Sequence, residues 1–272
     1  MAQRLTGAAS DLLTGVLQGP PRSLRVVTAV PSAVHLLSDD GEVAVSVCTA
    51  DAVRLPNAVV LAAPPAVRPL RMIRSGQPAQ VGDGLIWIGE PGSGQIVVRV
   101  SRWWRARRPQ LRKPWARTAA ELARRLSLTD GLEEPVAIAS ETFAAALTGQ
   151  AVLSDAVSGL IGLGSGLTPA GDDVLAGAIV TLRAAQAPHA DELAGTITTA
   201  LTSSNATTPV SATLLRYACD GYCVPQLTAV LEDPTTLEAL LAVGHTSGKA
   251  LAHGALIGLR TVTGRHTIGS SR

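Results

Sequence analysis

Between residues 24 and 101 the apolar positions fall in short runs. "LRVVTAV", "EVAVSVCTA", "NAVVLAA", "GLIWIGE" and "QIVVRVS" are rich in Val and Ile, and "DDG", "LPN", "GDG" and "EPGSG" separate them. β-Branched side chains suit a pleated, half-buried surface, and Gly, Asp and Pro supply the turns between such runs. This spacing predicts an antiparallel sheet or a small barrel. From about residue 117 the period lengthens. "ARTAAELARRLSL", "DDVLAGAIVTLRAAQ", "ADELAGTITTALTS", "SATLLRYACDG", "VPQLTAVLED", "TTLEALLAVG" and "GKALAHGALIGLR" bring Ala and Leu back every three or four positions, as amphipathic helices do, and the residues around Glu141 to Leu147 do the same. The segregation predicts an α+β chain: a β-rich domain over 1–116 that ends in a basic, Trp-containing linker, then a helical domain over 117–272.

Composition narrows the picture. With 46% hydrophobic but only 3% aromatic residues, the core must be built from Ala, Val, Leu and Ile. A formal charge of +2 does not by itself propose a nucleic-acid or membrane partner. No apolar run is long enough to span a bilayer, and no signal peptide is visible. Cys48, Cys219 and Cys223 form no zinc pattern and read as free thiols in a reducing compartment, so the expected location is cytoplasmic. Ten of the 23 basic residues lie between Arg99 and Arg125, with Trp103, Trp104 and Trp115 among them. We read this stretch as a linker whose tryptophans pack and whose arginines reach solvent. The other reading, an arm that tracks single-stranded nucleic acid, finds no support elsewhere in the chain.

Three helix starts carry the candidate chemistry. In "GLGSGLTPAGDDVLAG", Thr168 fits a helix N-cap, Pro169 the first helical position, and Gly171 leaves the first turn bare. "ATTPVSATLL" repeats the device with Thr208, Pro209 and Ser211, and "GHTSGKALAHGAL" makes a third start with Thr246 or Ser247 as cap and Gly248 inside. Exposed N–H groups and the helix dipole make such a start an anion site when glycines let a ligand approach. The familiar phosphate fingerprints do not fit. A dinucleotide loop beginning at Gly162 would need glycine where Leu167 stands, and Gly244 to Gly248 is one residue short of a P-loop.

Asp172 and Asp173 follow the first start, about 100° apart on a helix. The expected division is one carboxylate toward a ligand N–H or a magnesium ion and the other toward a neighbouring donor. His245 and Lys249, in the third cluster, are candidates for proton or charge transfer. His35, His189, His253 and His266 read as packing residues.

Taken together, "GLGSGLTPAGDD", "TTPVSATLL" and "GHTSGKALAHGALIGL" resemble, in this order, the motif blocks of a bacterial family of unknown-function domains that includes the AllH-type small subunit of oxamate carbamoyltransferase. The resemblance implies a role in purine-ureide (allantoin) catabolism, in the phosphorolysis of oxalurate to oxamate and carbamoyl phosphate. It also implies hetero-oligomeric assembly with larger carbamoyltransferase subunits and a small anionic substrate. The residues it points to are Gly164, Gly166, Thr168, Gly171, Asp172, Asp173, Thr208, Ser211, His245, Ser247 and Gly248. The local reading adds Ser165, Thr246 and Lys249. A sensing or non-catalytic subunit is the second expectation.

Overall fold

The computed structural model describes residues 2–41, 44–92, 94–203 and 206–269, with side chains to residue 264, so the His266 side chain lies outside the described residues. The chain divides into two compact units, Met1–Ala106 and Arg107–Arg272.

The first unit is a closed eight-stranded barrel. Its strands are β1 (Gln3–Ser10), β2 (Arg22–Val30), β3 (Ala33–Leu37), β4 (Ala44–Cys48), β5 (Ala58–Leu61), β6 (Pro78–Gly82), β7 (Leu85–Ile88) and β8 (Ile96–Trp104), with a short helix α1 (Thr14–Leu17) after β1. Around the barrel they run β1-β5-β4-β3-β2-β6-β7-β8. The expected antiparallel pattern holds only in part. β4 runs parallel to β5, with Val47 opposite Val59, and β1 runs parallel to β8 from Gln3↔Ile96 to Ser10↔Trp104. The physical reason is the connections. The stretch between β4 and β5 is too long for a hairpin and carries the chain back across, and closure pairs the first strand with the last.

All five apolar runs are strands, and three further strands escaped the pattern. "QRLTGAAS" and "PAQVG" are rich in polar and small residues, and "AVHLL" is a short apolar stretch interrupted by His35; all three pair on both sides because the barrel leaves no free edge. Val26, Val34, Leu36, Val45, Val47, Val59, Leu61, Ile86, Ile88, Ile96 and Val98 fill the interior, and Leu13 and Leu17 pack into the same cluster. Gly82 (φ +145°) is where the chain passes Pro21, whose Cα would lie 2.6 Å from any added Cβ. Trp103 and Trp104 belong to β8 rather than to a linker, and Arg54 stacks over the Trp104 ring at 5.3 Å.

The second unit is helical: α2 (Trp115–Leu126), α3 (Glu134–Leu147), α4 (Leu153–Leu160), α5 (Ala170–Ala184), α6 (Ala190–Ala200), α7 (Pro209–Cys219), α8 (Pro225–Glu232), α9 (Leu237–Leu241) and α10 (Ser247–Gly269). Helix α4, "LSDAVSGL", was not expected from the pattern. Helix α5 is buried on every side from Ala170 to Leu182, and its neighbours supply the amphipathic faces that cover it.

Glycine sets how closely α10 approaches α5. A Cβ on Gly177 would sit 2.1 Å from the Leu251 carbonyl oxygen, and one on Gly254 would sit 2.0 Å from that of Val174. Gly258 meets Thr181 in the same way. Val174 with Gly254, then Thr181 with Gly258, advance together along both helices, so α5 and α10 run parallel and their N-termini lie side by side. No described helix is long and apolar enough to cross a membrane.

Candidate functional site

The three helix starts meet. Thr168 Oγ1 and Ser247 Oγ are hydrogen-bonded at 2.8 Å, which ties the approach to α5 to the first residue of α10. Thr208 Oγ1 donates to the Leu167 carbonyl at 2.5 Å, which ties the start of α7 to the same glycine loop. Thr208 also caps α7, accepting from the Ser211 N–H at 3.1 Å, with Pro209 in the first turn as its fixed φ favours.

Asp172 is the knot of the cluster. Its Oδ1 accepts from the Gly162 N–H at 2.8 Å, and its Oδ2 accepts from Ser211 Oγ at 2.6 Å and from Thr207 Oγ1. The carboxylate is 1% exposed and joins the glycine loop, α5 and α7. Burial raises its pKa above the ordinary carboxylate value, and the three donors oppose part of that rise. Both oxygens are therefore engaged within the protein, so Asp172 reads as a clamp rather than a ligand-facing group. Thr207 was missed by the motif; its signal was the second threonine before Pro209.

Asp173 is different. It is 7% exposed, beside the hydroxyls of Ser247 and Thr168, which favour its ionised form, but its buried Oδ2 accepts no hydrogen bond. Burial pushes its pKa well above the usual carboxylate range, and the neighbouring Asp172 charge pushes the same way.

The other expected residues divide. Gly164, Ser165 and Gly166 form an exposed turn with positive φ at both glycines, and no atom lies within 4 Å of where a Gly166 Cβ would stand. Gly171 and Gly248 do not open space for a ligand. The Leu160 carbonyl oxygen would lie 2.1 Å from a Gly171 Cβ, and that of Leu240 1.8 Å from a Gly248 Cβ, so both glycines serve close packing of the chain on itself. Thr168 is not the α5 cap either: Pro169 occupies that position, and the Thr168 hydroxyl turns to Ser247. Thr246 precedes α10, and its carbonyl accepts from the Ala250 N–H at 3.0 Å. His245 is exposed, and Lys249 Nζ donates to the Gly131 carbonyl at 3.4 Å. Among the described residues no three His, Cys, Asp or Glu side chains come together as a metal would require.

Chemically, the cluster offers three adjacent helix N-termini, hydroxyls that can donate or accept, and one carboxyl with a free buried oxygen. No curated protein and no solved structure matches the chain. The segment from residue 160 to residue 259, which holds all three helix starts, matches the model of the family described as oxamate carbamoyltransferase subunit AllH.

Proposed function

We propose that the helical unit binds a small anionic substrate where α5, α7 and α10 begin, as a subunit of a carbamoyltransferase of ureide nitrogen catabolism. In this reading the chain works in the cytoplasm with larger subunits on oxalurate or oxamate and carbamoyl phosphate. The observation that carries the reading is the hydrogen-bonded joining of three helix starts inside the segment that matches the AllH family.

Parallel packing of α5 and α10 puts two positive dipole ends next to each other, an arrangement that repels itself and favours an anion between. Gly164, Ser165 and Gly166 present an exposed backbone turn to it, and Thr168, Ser211, Ser247 and Thr246 add hydroxyls around it. Each charge-assisted bond to an anionic oxygen contributes on the order of 1.5–3 kcal/mol. His245 and Lys249 flank the α10 start and would assist charge transfer from the rim. A magnesium ion, if used, would take Asp173 and ligand oxygens, since Asp172 is occupied by three donors.

A supporting subunit without its own catalytic groups is the second reading. It is favoured by Asp172 and Lys249 both being held by protein partners. Titrating the full chain with phosphate, carbamoyl phosphate and oxamate, alone and with partner subunits, tests the proposal. Saturable binding that Ser247→Ala and Thr168→Val weaken about tenfold is the expected result. Binding by neither the free chain nor the assembled complex would refute it, and binding with unchanged turnover in these variants would favour the supporting role.

A further inference from the structure

We infer that Asp173 meets the ligand as a neutral carboxylic acid and, keeping its proton, donates an O–H hydrogen bond to one of the ligand's anionic oxygens. The inference deepens the anion-binding reading above and rests on it. Four observations lead there.

The first is place. Asp173 lies in the first turn of α5, its side chain beside Thr168 on one flank and beside Ser247, the opening residue of α10, on the other. It therefore sits where the two parallel N-termini meet. The second is the unused atom. The residue is 7% exposed, and no protein group donates to the buried Oδ2, whereas the adjacent Asp172 is met by three donors. An ionised carboxylate in that position would have only the Thr168 and Ser247 hydroxyls beside it, with nothing on Oδ2, against the cost of burial.

The third is the absence of a countercharge among the described residues. Asp172 is the charged group that acts on Asp173 from its own helix. In the first two turns of α10 the ionisable groups are Lys249, which turns to the Gly131 carbonyl, and His253, whose imidazole burial keeps neutral. Helix α7 and the glycine loop contribute only hydroxyls and amides here, and the acids of α3, α4 and α6 are exposed. The fourth is the ligand's own charge. An anion drawn to these N-termini would repel an ionised Asp173 at close range. A retained proton removes that repulsion and supplies a strong O–H donor in its place. The pairing of two aspartates with an anion site thus resolves into one ionisable clamp, Asp172, and one acid, Asp173. Burial acts in the same direction on the Asp173 proton.

The test uses the full-length chain and two readouts. Infrared spectra of the free protein near neutral pH should show a protonated-carboxyl band that Asp173→Asn removes. Absence of that band overturns the inference whatever the ligand does. Oxamate is the binding probe, because its carboxylate stays ionised above about pH 5 and its charge does not confuse the profile.

Wild-type affinity should fall about tenfold per pH unit once the Asp173 proton is lost. Asp173→Asn, which keeps a donor, should bind within about threefold of wild type with a flat profile, and Asp173→Ala should lose at least about tenfold. The inference is overturned if Asp173→Asn fails like Asp173→Ala while wild-type affinity rises with pH or with added Mg²⁺. That pattern would identify an ionised acceptor. If the infrared band is present but neither oxamate nor sulfate binds, the anion reading itself fails and the donor role falls with it.

Discussion

Around His35 in the barrel, buried polar atoms form a continuous chain: Nδ1 bonds Ser46 Oγ at 2.9 Å, Ser46 Oγ donates to Asn57 Oδ1 at 3.3 Å, and Asn57 Nδ2 donates to the Ala44 carbonyl at 3.3 Å. In the helical unit Asp172 is likewise satisfied by three donors, but the next residue, Asp173, keeps a buried oxygen with no donor. The first network is complete and can only hold strands together. The second is one partner short, and the gap lies where two helix dipoles point. A satisfied buried network specifies a fold, whereas an incomplete one stores a demand that a ligand can meet. The two units also differ in what makes their cores tight: interlocked Val, Leu and Ile in one, glycine faces that let backbones touch in the other.

The largest expected effect breaks the second kind of packing. Gly254→Val would drive a branched side chain into the Val174 carbonyl and separate α5 from α10. We expect a loss of at least about 4 kcal/mol in the helical unit, beyond ordinary overpacking because backbone rather than a flexible side chain is in the way. A chemical denaturation curve with one displaced transition and one unchanged barrel transition is the predicted outcome. Loss of both together would show that the units are not independent in stability.

This glycine-based contact marks how far the sequence could be read. The helical period of "DDVLAGAIVTLRAAQ" and "GKALAHGALIGLR" located α5 and α10, and the Val- and Ile-rich runs located five strands, because hydrophobic periodicity is a local property. β3 carried only a short apolar stretch and β1 and β6 no such signal: "QRLTGAAS" becomes a strand only because β5 and β8 flank it. The motif placed helix starts close to Thr168, at Thr208 and at Thr246 or Ser247, but not their meeting, since contacts 79 residues apart such as Thr168 with Ser247 depend on tertiary packing. Gly171 and Gly248 illustrate the opposite error. A bare first turn reads as room for a ligand, while in the fold a neighbouring carbonyl already fills it.

The next prediction sets the two units against each other in pH. Burial lowers the His35 pKa from its ordinary 6.5 to about 4. Because the folded value is the lower one, the associated stability is fully present above about pH 6.5 and is lost as pH falls through about 4, amounting to roughly 3 kcal/mol for the barrel. Asp173 has the opposite sign. Its folded pKa is raised, so its contribution is complete below the ordinary carboxylate range and declines as pH rises toward the folded value. Buried His253 acts in the His35 direction within the helical unit, so the contrast is read against variants. As pH rises from about 4 to 7, wild-type urea midpoints should gain on those of His35→Gln in the barrel and lose ground to those of Asp173→Asn in the helical unit. Parallel curves would contradict this contrast.

A smaller effect follows for Asp173→Asn read as stability rather than binding. An amide cannot ionise, so the variant escapes the loss that wild type suffers as pH rises. We expect a gain of about 1–2 kcal/mol in the helical unit near neutral pH, a few degrees in Tm, shrinking toward zero near about pH 4. A calorimetric scan at both pH values measures it. A destabilised variant at neutral pH would mean that the native state relies on the ionised carboxylate.

The finest comparison uses one hydroxyl from each network. Ser46→Ala removes the partner of a neutral imidazole, and Ser211→Ala removes one of three donors to a carboxylate. At mildly acidic pH each should cost about 1 kcal/mol, the usual net value of a neutral hydrogen bond. They should part as pH rises. The Ser46→Ala cost stays level above about pH 6.5, because His35 is already neutral there and its bond does not change character. The Ser211→Ala cost should grow to about 2 kcal/mol, because the lost bond increasingly runs to an ionised Asp172 and such bonds are about twice as strong. Equal costs for the two variants at alkaline pH would mean that Asp172 does not ionise in the fold, and the division of labour between clamp and acid would have to be reversed.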